Sequence, residues 1–83
     1  MTLVDQEARQ RIGGLIQPIF TAKKYITPKE ISARLRGFGH LRDISDREVE
    51  YIKRIFELVN ADGISEDEFS VVVALAERMT MLE

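Results

Sequence analysis

The chain contains no cysteine. That excludes a disulfide framework, a zinc–thiolate site and a thiol nucleophile. It has a single histidine, His40, so no second histidine exists to build a metal centre with it. No apolar run approaches the roughly 18 residues of a membrane span. The opening stretch MTLVDQEARQ carries acidic residues and no apolar segment, unlike a secretory signal. Gly13-Gly14 is not followed by the Lys and Ser/Thr of a phosphate loop. No linker or low-complexity tract appears. These absences argue against an enzyme, a membrane protein and a cofactor-carrying protein, and the expected location is the cytoplasm. A Ser–His–Asp reading of Ser45, His40 and Asp43 has only composition behind it. His40, beside Arg42 and Asp43, reads as an exposed loop residue.

What is present is one small domain of 83 residues. A chain of this size buries roughly 60% of its unfolded surface, enough for one modest core. The net charge of −2 conceals an asymmetry. Residues 1–42 carry eight Lys/Arg against three Asp/Glu, and residues 43–83 carry four against eleven. An acidic second half attracts a basic partner. Lys23, Lys24, Lys29, Arg34 and Arg36 give ITPKEISARLRGFG and its approach a side that could face phosphate. The preceding turn lacks helix-turn-helix spacing and the chain is not basic overall, so no nucleic-acid partner is expected.

Three N-terminal capping boxes divide the chain: Thr27-Pro28-Lys29-Glu30, Ser45-Asp46-Arg47-Glu48 and Ser65-Glu66-Asp67-Glu68. In each, a hydroxyl accepts from an orphan backbone N–H and a Glu three residues on reaches back. The caps are therefore Thr27 with Glu30, Ser45 with Glu48, and Ser65 with Glu68. Apolar residues at helical spacing follow: Ile31, Leu35 and Phe38, then Val49, Ile52, Phe56 and Val59 widened by Ile55 and Leu58, then Phe69, Val72, Val73, Ala76 and Met79. Val4, Ala8, Ile12, Leu15, Ile16 and Ile19 make a stripe before them, with Pro18 expected to kink or end that helix. The spacing predicts an all-α fold with helices near 3–20, 28–37, 46–59 and 66–81. The second should end at Gly37-Phe38-Gly39 on a left-handed glycine.

The halves repeat. Tyr25-Ile26-Thr27-Pro28-Lys29-Glu30-Ile31 aligns with Gly63-Ile64-Ser65-Glu66-Asp67-Glu68-Phe69. Each half needs the other to bury its apolar face, and Ile26 and Ile64 are placed to form a two-residue antiparallel bridge. This pattern, carried mostly by FELVNADGISEDEF, resembles the EF-hand superfamily: one paired lobe of the calmodulin and myosin-light-chain kind, with units over 1–41 and 42–83. The resemblance implies that Ile26 and Ile64 make the loop bridge and that Glu30 and Glu68 stand at the bidentate ligand position.

The loops depart from a 12-residue calcium site with ligands at 1, 3, 5, 7, 9 and 12. With Glu68 at position 12, Val59 and Ala61 fall at positions 3 and 5 without a side-chain oxygen. Starting instead at Asn60 leaves a loop three residues short. Asn60, Asp62 and Glu68 are the candidates for any residual calcium binding. The first loop, Thr21-Ala22-Lys23-Lys24-Tyr25, offers ammonium groups where anions are needed. The lobe is therefore expected to hold its shape without calcium and without any cofactor.

Its implied role is protein binding: a monomeric lobe gripping a basic amphipathic helix, as myosin light chains hold the IQ-type helix of a myosin neck. The groove is expected from Ile16, Ile19, Phe20, Leu35, Phe38, Phe56, Val72, Leu75, Met79 and Met81, rimmed by Glu66, Asp67 and Glu77. A lobe this small has too few apolar residues for both a core and an open groove, so some of these serve the core. With Met1 as a natural start, a free-standing light-chain role fits. The alternatives are linear-peptide docking, as in EH domains, a structural module of a larger protein, or a calcium sensor through the second loop.

Overall fold

The computed structural model describes residues 6–81, with the Met81 side chain outside the description. Four helices follow in order: α1 Gln6–Ala22, α2 Pro28–Arg36, α3 Asp46–Ile55 and α4 Glu66–Met81. A single 3-10 turn, Gly39–Leu41, lies between α2 and α3. The described residues form no named strand. Their only extended pairing is the antiparallel bridge Ile26–Ile64.

Each predicted capping box forms. The Glu30 carboxylate accepts from the Thr27 N–H at 2.9 Å. The Glu48 carboxylate accepts from the Ser45 N–H at 3.0 Å while Ser45 Oγ accepts from the Glu48 N–H at 3.1 Å. Ser65 and Glu68 exchange the same pair at 3.0 and 3.3 Å. These contacts satisfy backbone donors that the first helical turn leaves without partners.

Helix ends differ from the sequence expectation in three places. α1 does not stop at Pro18 but runs through it to Ala22. Proline removes one N–H and crowds the carbonyl of Gly14. That cost is met because buried Ile16 before it and part-buried Ile19 and Phe20 after it all pack on the core. Nor does α2 end on a left-handed glycine: Gly37 has φ −69° and ψ −21°. The chain instead coils on into the 3-10 turn Gly39–Leu41, for which the apolar spacing gives no signal. Leu41 and Ile44, from that connection, are buried.

The largest difference is in α3, which ends at Ile55 rather than 59. Glu57 takes φ 55°, the only positive φ among the described residues. The Leu58 N–H then reaches the Lys53 carbonyl at 2.7 Å and the Glu57 N–H reaches Arg54 at 3.1 Å. This is the paired closure that ends many helices, with Glu where glycine is usual. It folds Leu58 back into the core at 3% exposure. It also leaves Ile55 and Val59, expected on the buried face, 45% and 51% exposed.

α4 is the central element: α1 packs along it, α3 packs beside it, and the 3-10 turn rests on it. α2 packs on α3 and on the 3-10 turn. The core between them holds Ile12, Ile16, Ile26, Ile31, Leu35, Leu41, Ile52, Ile64, Phe69, Val72 and Val73, all fully buried. The Phe20 and Phe69 rings meet at 6.0 Å with a tilt of 53°, a favoured arrangement for aromatic pairs. Arg36 closes the corner between α2 and α3. Its guanidinium donates to Ser32 Oγ at 2.5 Å, to the Ile44 carbonyl at 3.1 and 3.2 Å, and to Asp46 at 2.6 Å.

Candidate functional site

The two loops lie side by side through their bridge. Ile26 N–H donates to the Ile64 carbonyl at 3.1 Å, and Ile64 N–H donates back at 2.7 Å. Both side chains are fully buried. Gly63 lets the loops approach this closely: a Cβ there would stand 2.9 Å from the Tyr25 Cβ. Ala at this position would force the backbone and the Tyr25 side chain apart.

In the first loop Glu30 holds a cation of the chain itself. Lys23 Nζ donates to Glu30 Oε1 and Oε2 at 2.9 and 3.1 Å, with Arg34 at 3.5 Å from Oε1. The Thr27 N–H, and then Lys23, push the Glu30 carboxyl down to about 2. A lysine ammonium thus takes both oxygens of the acid that the resemblance would make a bidentate ligand. Lys23, Arg34 and Arg36, three of the five cations around ITPKEISARLRGFG, are each paired at the surface with a carboxylate of the chain.

In the second loop Asn60 and Asp62 are exposed, and Glu68 Oε1 is committed to the Ser65 N–H. Among the described residues, no three of His, Cys, Asp or Glu converge on a common point. Asp62 instead lines a shallow hollow with Tyr25 and Gly63.

The expected groove is not open. Ile16, Leu35 and Val72 are fully buried core residues, not surface ones. Ile19, Phe20, Phe38, Phe56, Leu75 and Met79 are partly buried and packed against that core. The Met81 side chain lies outside the described residues. Of the expected rim, Glu66 and Asp67 are exposed. They line a polar cleft between the starts of α1 and α4, opposite Gln6, Arg9 and Gln10.

Glu77 is not a rim residue: it is buried at 7% exposure. Arg11 from α1 grips both its oxygens, at 2.8 and 2.5 Å. The His40 ring, from the 3-10 turn, lies with Nε2 2.7 Å from Oε2. The Arg11 bonds hold the Glu77 carboxyl below its ordinary value, outweighing the burial that would raise it, and His40 adds to the lowering. His40 is thus half-exposed but anchored, and one carboxylate joins three elements. The signal for it was legible: Glu77 follows Val73 by four residues, placing a charge on the buried stripe of α4. Such a charge is retained only with partners.

No protein-family model matches this chain, and no curated protein or solved structure matches it either.

Proposed function

We propose that the chain is a calcium-independent protein-binding lobe whose ligand is a basic amphipathic helix. The observation that carries the first half is the Lys23–Glu30 pair. A cation tethered to the chain sits on both oxygens of the carboxylate that a calcium ion would need. The second loop closes through backbone and capping bonds, with Glu68 bonded to Ser65. A shape set this way has no ion to respond to, unlike a sensor lobe that opens on calcium.

The second half rests on charge and on apolar surface. The stretch between Arg54 and Arg78 holds no Lys or Arg and five exposed carboxylates, its sixth, Glu77, being buried against Arg11. Tyr51, Ile55 and Val59 stand exposed beside it. An acidic face with apolar anchors suits a helix that is basic on one side and apolar on the other. Paired packing of α1 with α4 and α2 with α3, joined by the loop bridge, supports the light-chain-like reading. Linear-peptide docking of the EH kind is the second reading, favoured by the packing of Ile19, Phe20, Phe38, Leu75 and Met79 against the core.

The test is an NMR titration of the labelled chain with an IQ-type helix, first in EGTA and then with calcium. Saturable shifts in EGTA, unchanged by calcium, are expected. Shifts that arise only with calcium would make the second loop a sensor and overturn the proposal.

A further inference from the structure

We infer that the partner docks on the outer corner where α3 ends and α4 begins, and that it seats one bulky apolar side chain there, flanked by Lys or Arg. This rests on the protein-binding reading above and names its surface. The sequence placed the groove among inner faces that the structure fills with core.

Four features meet at this corner. A hollow of about 160 Å³ is walled by Phe56 and Leu58 at the α3 exit and by Val71 of α4, with Glu68 at its edge. Its lining is mostly apolar and its volume suits a single side chain. Second, Ile55 and Val59 bracket Phe56 and Leu58 in the chain and are about half exposed, with Tyr51 one turn earlier on the same face of α3. Singly exposed apolar residues are ordinary, but three within nine residues of chain, next in sequence to the residues that wall an apolar hollow, mark a contact surface.

Third, the corner is acidic on balance: from Lys53 to Val71 the chain carries five carboxylates against the two cations Lys53 and Arg54. Glu57 and exposed Glu68 flank it, and no Lys or Arg occurs between Arg54 and Arg78. Lys53, the cation nearest in sequence after Arg54, is held by Glu50 at 3.2 Å. An apolar anchor with basic neighbours complements this surface, whereas an acidic segment would be repelled. Fourth, Glu57 is the residue in the left-handed conformation. Glycine would fit that backbone better. A strained position occupied by a residue with a charged side chain points to use of that side chain, and here the residue lies in the chain between the two that wall the hollow.

The experiment uses the full chain and a synthetic amphipathic helix with Leu/Ile on one face and Arg/Lys on the other. Shifts should centre on Ile55, Phe56, Leu58, Val59 and Val71. The double variant I55S/V59S, altering half-exposed positions only, should stay folded and bind about tenfold more weakly. Glu57→Gly should raise Tm while weakening binding up to about fivefold and reducing its salt dependence. Saturable shifts centred on Ile19, Phe20, Leu75 and Met79 would overturn the corner while leaving the protein-binding reading intact. No saturable shift would overturn both. Unchanged affinity in I55S/V59S, or a free chain whose self-association that variant abolishes, would also overturn the inference, the latter by giving the corner to a second copy.

Discussion

At the scale of single residues, the sequence places chemistry that backbone geometry then redirects. Glu57 is the sharpest case. Its side chain is ordinary for a solvated helix end, but its φ of 55° is not ordinary for any residue with a Cβ. The left-handed conformation costs a non-glycine residue roughly 1–2 kcal/mol. Glu57→Gly should therefore stabilise the fold by about 0.5–1 kcal/mol, the lower figure reflecting glycine's greater freedom when unfolded. Chemical denaturation of the two proteins, with an unchanged m-value, checks this. A less stable glycine variant would show that Glu57 makes contacts that outweigh its backbone strain. Lys23 is the second case. In the sequence it is an unpaired-looking loop cation; in the structure its ammonium bonds both carboxylate oxygens of Glu30.

At the scale of elements, helix starts were legible and the ends of α1 and α3 were not. Starts are written locally, as a hydroxyl three residues before a Glu. All three boxes form where the sequence puts them. Removing the α3 cap, Ser45→Ala, should cost about 1 kcal/mol, which is roughly 4–8 °C in Tm for a domain this size. Thermal melts followed by circular dichroism measure it, and no loss of Tm would mean the Glu48 half of the box suffices alone. Ends depend on what the next residues must bury. α3 stops at Ile55 because Leu58 turns inward, and the connection after α2 coils because Leu41 and Ile44 do the same. Leu41→Ala should accordingly cost 2–5 kcal/mol, as for other fully buried leucines. A loss under about 1 kcal/mol by urea denaturation would make the 3-10 turn a dispensable flap.

At the scale of the whole molecule, Arg11, Glu77 and His40 tie α1 and the 3-10 turn to α4. Glu77 is held below its ordinary value of 4.5, chiefly by the Arg11 bonds. A group with a depressed folded-state value adds stability that is fully present above its unfolded value. That stability is lost as pH falls through the folded one. The chain should thus lose stability on acidification below about 4.5, with Glu30 contributing in the same direction down to about 2. Glu77→Gln should cost about 1–2 kcal/mol at neutral pH, the low range for charge-assisted bonds because Arg11 and His40 are half exposed. It should also flatten the acid limb. Denaturation curves from pH 3 to 7 test this. A variant whose acid limb keeps the native slope would remove Glu77 from the account.

The sequence alone determined that the chain is all-α, where three of its helices start, and that its halves are a repeat joined at Ile26 and Ile64. These are local facts: caps, periods of three and four, and a short motif said twice. Only the tertiary structure decided which apolar residues are core. A helix face states that a residue is apolar, but which element covers it depends on the others, so Ile16, Leu35 and Val72 went inside while Ile55 and Val59 stayed out. It also decided what Glu77 and His40 do, because an ion pair spanning 66 residues of sequence leaves no periodicity to read. Charge on a buried stripe shows that a partner is needed; only packing supplies its name.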